Sequence, residues 1–161
     1  MSKVGDYYLL GGNETVEMLE TLTKNAEGIF KQSVYKGAGV VADEMTRRVK
    51  ELKTTGKQTK VNGKTPRRYC YEYEKEALID NLGIAPMKLR KSVNTKVGFS
   101  GYYHNKSEES VPVPLLANSI NAGTSFMKKQ AFINATIRGS KSNCIEAMQK
   151  QLDKSINEIT R

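Results

Sequence analysis

The sequence predicts an α+β fold: long N-terminal amphipathic helices packed on a small antiparallel sheet, with C-terminal helices and a projecting basic loop. Three observations lead there. Apolar residues recur at three- and four-residue steps over 16–52 and again over 144–159, the spacing of one helix face. Between them, Pro86, Pro112 and Pro114 punctuate short alternating stretches, as turns and strands do. Residues 54–65 carry no apolar side chain except Val61, which leaves a polar loop.

Taken in order, Asn13 after Gly11-Gly12 is a good N-cap, with Glu14 and Glu17 favourable at the positive helix end. Val16, Leu19, Leu22, Ala26, Ile29 and Phe30 form one apolar series. Val34, Ala38, Val41, Met45, Val49 and Leu52 continue it. Gly28 weakens the joint, so two helices or one bent helix are expected, the second ending near Lys53. Gly56 and Asn62-Gly63 are turn signals, the pair being the favoured two-residue hairpin turn. A lysine-studded hairpin or mobile loop over 54–68 follows. Tyr69, Tyr71 and Tyr73 alternate as in a strand, yet Glu72, Glu74, Glu76, Ala77, Leu78 and Leu82 prefer a helix. A helix over 71–81, capped by Gly83, is predicted.

Pro86 forces an irregular step. A strand over 92–99 places Val93, Val97 and Phe99 on one face and Lys96 on the other. Residues 101–114 read as a connection, and 115–122 as a strand or short helix. A helix over 130–138 is expected to break at Gly139-Ser140. Ser140 or Ser142 then caps a last helix whose face is Cys144, Met148, Leu152, Ile156 and Ile159.

At 161 residues the chain reads as one domain, 1–161, which buries about two-thirds of its unfolded surface. Apolar residues make up 38% and Trp is absent, a modest core that favours stabilisation by neighbours. No run approaches the roughly 18 apolar residues of a membrane helix, and the N-terminus lacks a signal peptide's apolar region. Cys70 and Cys144 have neither CxxC spacing nor histidine neighbours. They are expected to be reduced, one or both packed as small apolar residues. Net charge is +9, and nine cations against Glu51 alone put a net +8 of it in residues 46–68. Such a block is solvated, paired with a partner or turned toward a polyanion.

Candidate chemistry is thin. Gly37-Ala38-Gly39-Val40-Val41-Ala42 matches G-x-G-x-x-A, but a dinucleotide turn needs a strand before it and an acidic residue about 20 positions on. Helical residues precede it and lysines follow, so close helix packing is the better reading. His104 is the single histidine; with Ser100 or Ser107 and Glu108 or Glu109 it makes ordinary loop chemistry without a nucleophile turn. Glu72, Glu74 and Glu76 resemble a divalent-ion set less than an exposed helical face pairing with Lys75. No catalytic residue, cofactor or metal is expected. The basic block is the stronger signal: Lys57, Lys60, Lys64, Arg67 and Arg68 are candidate nucleic-acid or partner contacts, with Tyr69, Tyr71 and Tyr73 as stacking surfaces.

The run Gly123-Thr124-Ser125-Phe126, then Met127-Lys128-Lys129-Gln130-Ala131-Phe132, leads from a glycine turn through a basic step into an aromatic helix start. It resembles the ending of bacteriophage neck proteins of the head–tail joining family called "gene product ten-like", which run strand, Gly-Thr-Ser, Gln-Pro-Phe. Leu82-Gly83-Ile84-Ala85-Pro86-Met87 and Val93-Asn94-Thr95-Lys96-Val97-Gly98-Phe99 are similar to the segment preceding that ending. The likeness spans residues 78–154. Ala131 replaces the usual proline, and Asn121-Ala122 the usual acidic residue.

The resemblance implies extended backbone just before the glycine turn. It also implies a non-enzymatic subunit of a ring of identical copies, six being the expected number, in the neck of a tailed phage or phage-tail-like particle. Head-connector and tail-terminator or tail-tube proteins would flank it, and DNA would pass through the channel. The location implied is the virion, and the host cytoplasm during assembly. Gly123, Thr124, Ser125, Phe126 and Phe132 are the expected subunit interface, with the opposing patch on the N-terminal helices. The alternative is a non-specific nucleic-acid-binding protein using residues 47–68.

Overall fold

The computed structural model describes residues 12–56, 65–89 and 93–159. Helix α1 runs over Gly12–Lys50, α2 over Glu72–Asp80, α3 over Val113–Ala122 and α4 over Phe132–Ile159. Among the described residues six short strands lie between α2 and α3: β1 Leu82–Ile84, β2 Lys88–Leu89, β3 Val93–Asn94, β4 Val97–Phe99, β5 Tyr102–His104 and β6 Ser110–Pro112. They form three antiparallel pairs, β1 with β4, β2 with β3 and β5 with β6. The fold is α+β.

Helix α1 is one continuous element of 39 residues. Asn13 lies within it rather than at its cap, and Gly28 does not interrupt it. The cost of a mid-helix glycine, about 1 kcal/mol, is outweighed by packing against α4. The two helices are antiparallel neighbours. Thr136 of α4 donates to the Met45 sulfur at 3.5 Å, Ser33 donates to the Met148 carbonyl at 2.7 Å, and Gln32 meets Gln151 and Ser155. At Gly37 they approach closely: a Cβ there would stand 2.5 Å from Met148 Cγ. The G-x-G-x-x-A match is thus a helix-packing feature.

Helix α4 is likewise unbroken across Gly139-Ser140. The Ser140 hydroxyl donates to the Thr136 carbonyl at 2.8 Å, so both small residues sit inside the helix. A Cβ on Gly139 would meet Arg48 and Glu44 of α1. Small size, not a break, is what this pair supplies.

Helix α2 matches expectation within one residue at each end. Tyr71 is its N-cap and Asn81, not Gly83, its C-cap. Residues 93–99 hold two short strands, β3 and β4, rather than one, and 101–114 contains the β5–β6 hairpin. Residues 113–122 are helical throughout, so the extended backbone that the resemblance implied is absent there. Proline at the first turn costs no hydrogen bond, and Val113, Leu116, Ala117 and Ile120 are buried.

The core lies where the C-terminal half of α1, α2, α3 and the start of α4 meet: Met45, Val49, Leu52, Cys70, Leu78, Val113, Ile120, Met127 and Phe132 among them. The face Cys144, Met148, Leu152, Ile156 and Ile159 is half-buried. Helix α1 is about 58 Å long and α4 about 42 Å. The N-terminal turns of α1 therefore extend past the end of α4, and Val16 and Leu19 are 54% and 55% exposed.

Candidate functional site

Residues 65–70 and 123–131 lack regular structure for most of their length, yet they are tied together. Arg68 N–H donates to the Phe126 carbonyl at 2.9 Å and Lys128 N–H to the Arg68 carbonyl at 2.7 Å. On the other side Thr55 N–H donates to the Cys70 carbonyl at 2.9 Å. Three extended stretches thus lie side by side in parallel, with bridges Thr54–Cys70 and Arg68–Met127. Gln130 locks the third: its side-chain carbonyl accepts from Lys53 N–H at 2.8 Å and its amide donates to the Lys53 carbonyl at 3.1 Å.

The Gly-Thr-Ser-Phe run is a turn built by its own residues. Gly123 has φ of 79°, the left-handed region open to glycine, and a Cβ there would lie 3.0 Å from the Lys129 backbone nitrogen. Thr124 Oγ1 accepts from Met127 N–H at 3.0 Å and Thr124 N–H donates to the Met127 carbonyl at 2.9 Å. Ser125 is exposed and Phe126 is 58% exposed. Phe132 is different. It is 4% exposed and packs edge-on to Phe99 at 6.0 Å, so it is a core residue and not a free interface residue. Asn121 accepts from Ile133 N–H at 3.0 Å, capping the first turn of α4, a role its sequence position did not announce.

Ion pairs occupy three cations of the basic block, Arg47, Arg48 and Arg68. Glu44 holds Arg47 and Arg48, and Arg47 also reaches Glu51. The Arg47 hydrogen bond is the largest cause that lowers the Glu44 carboxyl to about 2. Arg68 is paired with Glu74 through two bonds, Nη1 at 2.6 Å and Nη2 at 2.8 Å. Glu74 is buried and also accepts from Tyr71 N–H at 2.7 Å. Burial works against the Arg68 charge, but Glu74 more than compensates and raises its pKa. Arg68 is therefore a structural cation, not a free contact, and Glu74 is not on an exposed face. Lys75 pairs with Glu72 instead. Lys57, Lys60 and Lys64 lie outside the described residues, as does the Asn62-Gly63 turn. Arg67 is exposed.

Around the Arg68–Glu74 pair the tyrosines gather. Tyr71 and Tyr73 stack at 5.5 Å, Arg68 lies 4.0 Å from the Tyr71 ring centre, and Lys106 is 4.2 Å from the same ring. Burial first, then Glu74, pushes the Tyr103 hydroxyl up to about 12. These residues, with Leu115 and Phe126, line a cleft of about 420 Å³. Tyr69 stands apart from this group, with Lys128 at 4.8 Å and Lys53 at 6.0 Å from its ring centre.

His104 is exposed on β5, opposite Ser110. Glu109 accepts from the Asn105 side chain at 2.8 Å, and Asn105 in turn organises the turn that holds Ser107. Among the described residues no group of three His, Cys, Asp or Glu side chains is placed to hold a metal ion, and no helix is long and apolar enough to cross a membrane. Both cysteines are free, and burial pushes the Cys70 thiol up to about 11. Compared with protein-family models, curated proteins and solved structures, the chain matches none.

Proposed function

We propose that this chain is a non-enzymatic structural subunit of a ring in the neck of a tailed bacteriophage or phage-tail-like particle, joining the head-side connector to the tail tube. Two separated apolar patches carry the reading. One is Phe126 with Leu115 at the glycine turn; the other is Val16 and Leu19 on the α1 overhang, all more than half exposed. A ring repeats one contact between two different surfaces until it closes, and that arrangement needs two such patches on each copy. The resemblance of residues 82–99 and 123–132 to the head–tail joining family supplies the biological setting. A nucleic-acid-binding protein built on residues 47–68 is less well supported, because Glu44 and Glu74 hold three of its arginines.

Sedimentation velocity and electron microscopy of the purified chain test the reading. A closed ring is expected for the wild type. Phe126→Asp and Leu19→Asp are each expected to abolish it. Mixed together, these two variants retain one complementary pair of patches and should stop at dimers. A wild type that stays monomeric, alone and with tail proteins, overturns the proposal.

A further inference from the structure

We propose that the outward face of the three parallel stretches, Lys53, Arg67, Tyr69, Lys128 and Lys129, binds the phosphate backbone of a nucleic acid. This goes beyond the ring reading and does not depend on it. The surface differs from the basic block seen along the chain: it takes two residues of that block and adds two lysines from the turn before α4. Tertiary structure alone brings them together. Lys53 and Lys129 line one shallow cleft with Tyr69, and Lys128 sits over the same ring.

Backbone alternation separates Arg67 from Arg68, whereas Lys128 and Lys129 meet Tyr69 at its ring and at the cleft beside it. In an extended stretch successive side chains point to opposite sides. Arg68 and Cys70 turn inward, to Glu74 and to the core, so Arg67 and Tyr69 turn outward. Among the described residues none of Lys53, Arg67, Lys128 and Lys129 is in an ion pair. The nearby carboxylate, Glu51, is taken by Arg47. Four uncompensated cations on one small face are a polyanion footprint.

The Tyr69 ring holds two of them in place by attraction to its π-face. The two ring distances bound the separation of the ammoniums at about 11 Å. Successive phosphates of one strand fall within that reach. Tyr69 is thus a positioning residue for the lysines.

Fluorescence anisotropy with a labelled oligothymidylate of about 30 nucleotides tests this on the full chain. Four backbone contacts predict that affinity falls roughly 50-fold between about 50 and 200 mM salt. The variant with Lys53, Arg67, Lys128 and Lys129 all changed to Gln should lose binding and its salt dependence. A control with Lys24, Lys36, Lys141 and Lys154 changed to Gln removes equal charge and should bind within about twofold of wild type. Tyr69→Leu should weaken binding about two- to fivefold, and Tyr69→Phe should not.

Equal losses in the two quadruple variants would reduce the effect to net charge and overturn the proposal. So would an absence of oligonucleotide binding at low salt. Loss of self-association without nucleic acid in the Lys53/Arg67/Lys128/Lys129 variant, with the oligonucleotide unbound by wild type, would assign the face to a second copy. Sedimentation without nucleic acid reads the ring separately, so either proposal can fail alone.

Discussion

Glu74 is the residue on which the middle of the chain converges. It accepts two bonds from Arg68 and one from Tyr71 N–H, joining the end of the basic block to the start of α2. Breaking a buried ion pair on one side strands the other charge. Glu74→Gln should therefore cost about 3 kcal/mol in urea unfolding, and Arg68→Met with Glu74→Leu together should cost less than that single change. Glu44 makes a different prediction. Its carboxyl falls from 4.5 to about 2 in the fold, so below 4.5 the unfolded chain binds the proton more readily. The stabilisation is present above 4.5 and is lost as pH falls from 4.5 toward 2. A melting-temperature series across that window should be flatter for Glu44→Gln than for wild type.

At the scale of elements, the α1–α4 pair decides the behaviour of the glycines. Gly28 has open space around it, whereas a Cβ at Gly37 would meet Met148 and Cys144. Gly28→Ala should stabilise by about 0.5–1 kcal/mol, through helix propensity and a less mobile unfolded chain. Gly37→Ala gains the same propensity but overpacks the helix contact, and should lose about 1–3 kcal/mol. Thermal unfolding of the two variants should move in opposite directions. Both glycines interrupt the same apolar series, and only the partner helix distinguishes them.

Across the whole molecule, the core is concentrated at one end and the α1 overhang projects from the other. Isolated helix turns gain little by themselves in water, so the overhang with Val16 and Leu19 is where association would add most stability. If the proposed ring forms, the melting temperature should rise with protein concentration by mass action. Val16→Asp with Leu19→Asp should remove that dependence while changing monomer stability by no more than about 0.5 kcal/mol each. A concentration-independent wild type would argue against assembly through this end.

Composition and periodicity by themselves determined the α+β class, the helical nature of residues 16–50 and 144–159, and the α2 span to within one residue at each end. Those properties are local, set by which side chains share a helix face. What only the tertiary structure decided is the fate of residues whose neighbours lie far along the chain. Gly139-Ser140 read as a break because a chain pattern does not reveal that α4 lies against Glu44 and Arg48 of α1 there, and Gly28 left two helices or one bent helix open. Arg68 read as a free cation because Glu74 looked like one carboxylate of an exposed row, and Phe132 as an interface residue because Phe99 is distant in sequence. Lys128 and Lys129 joined Lys53 and Tyr69 only through backbone bonds between stretches dozens of residues apart. Local propensity costs or gains about 1 kcal/mol per residue, whereas burial of a large side chain is worth 1.5–3 kcal/mol, roughly. Where the two disagreed, packing won.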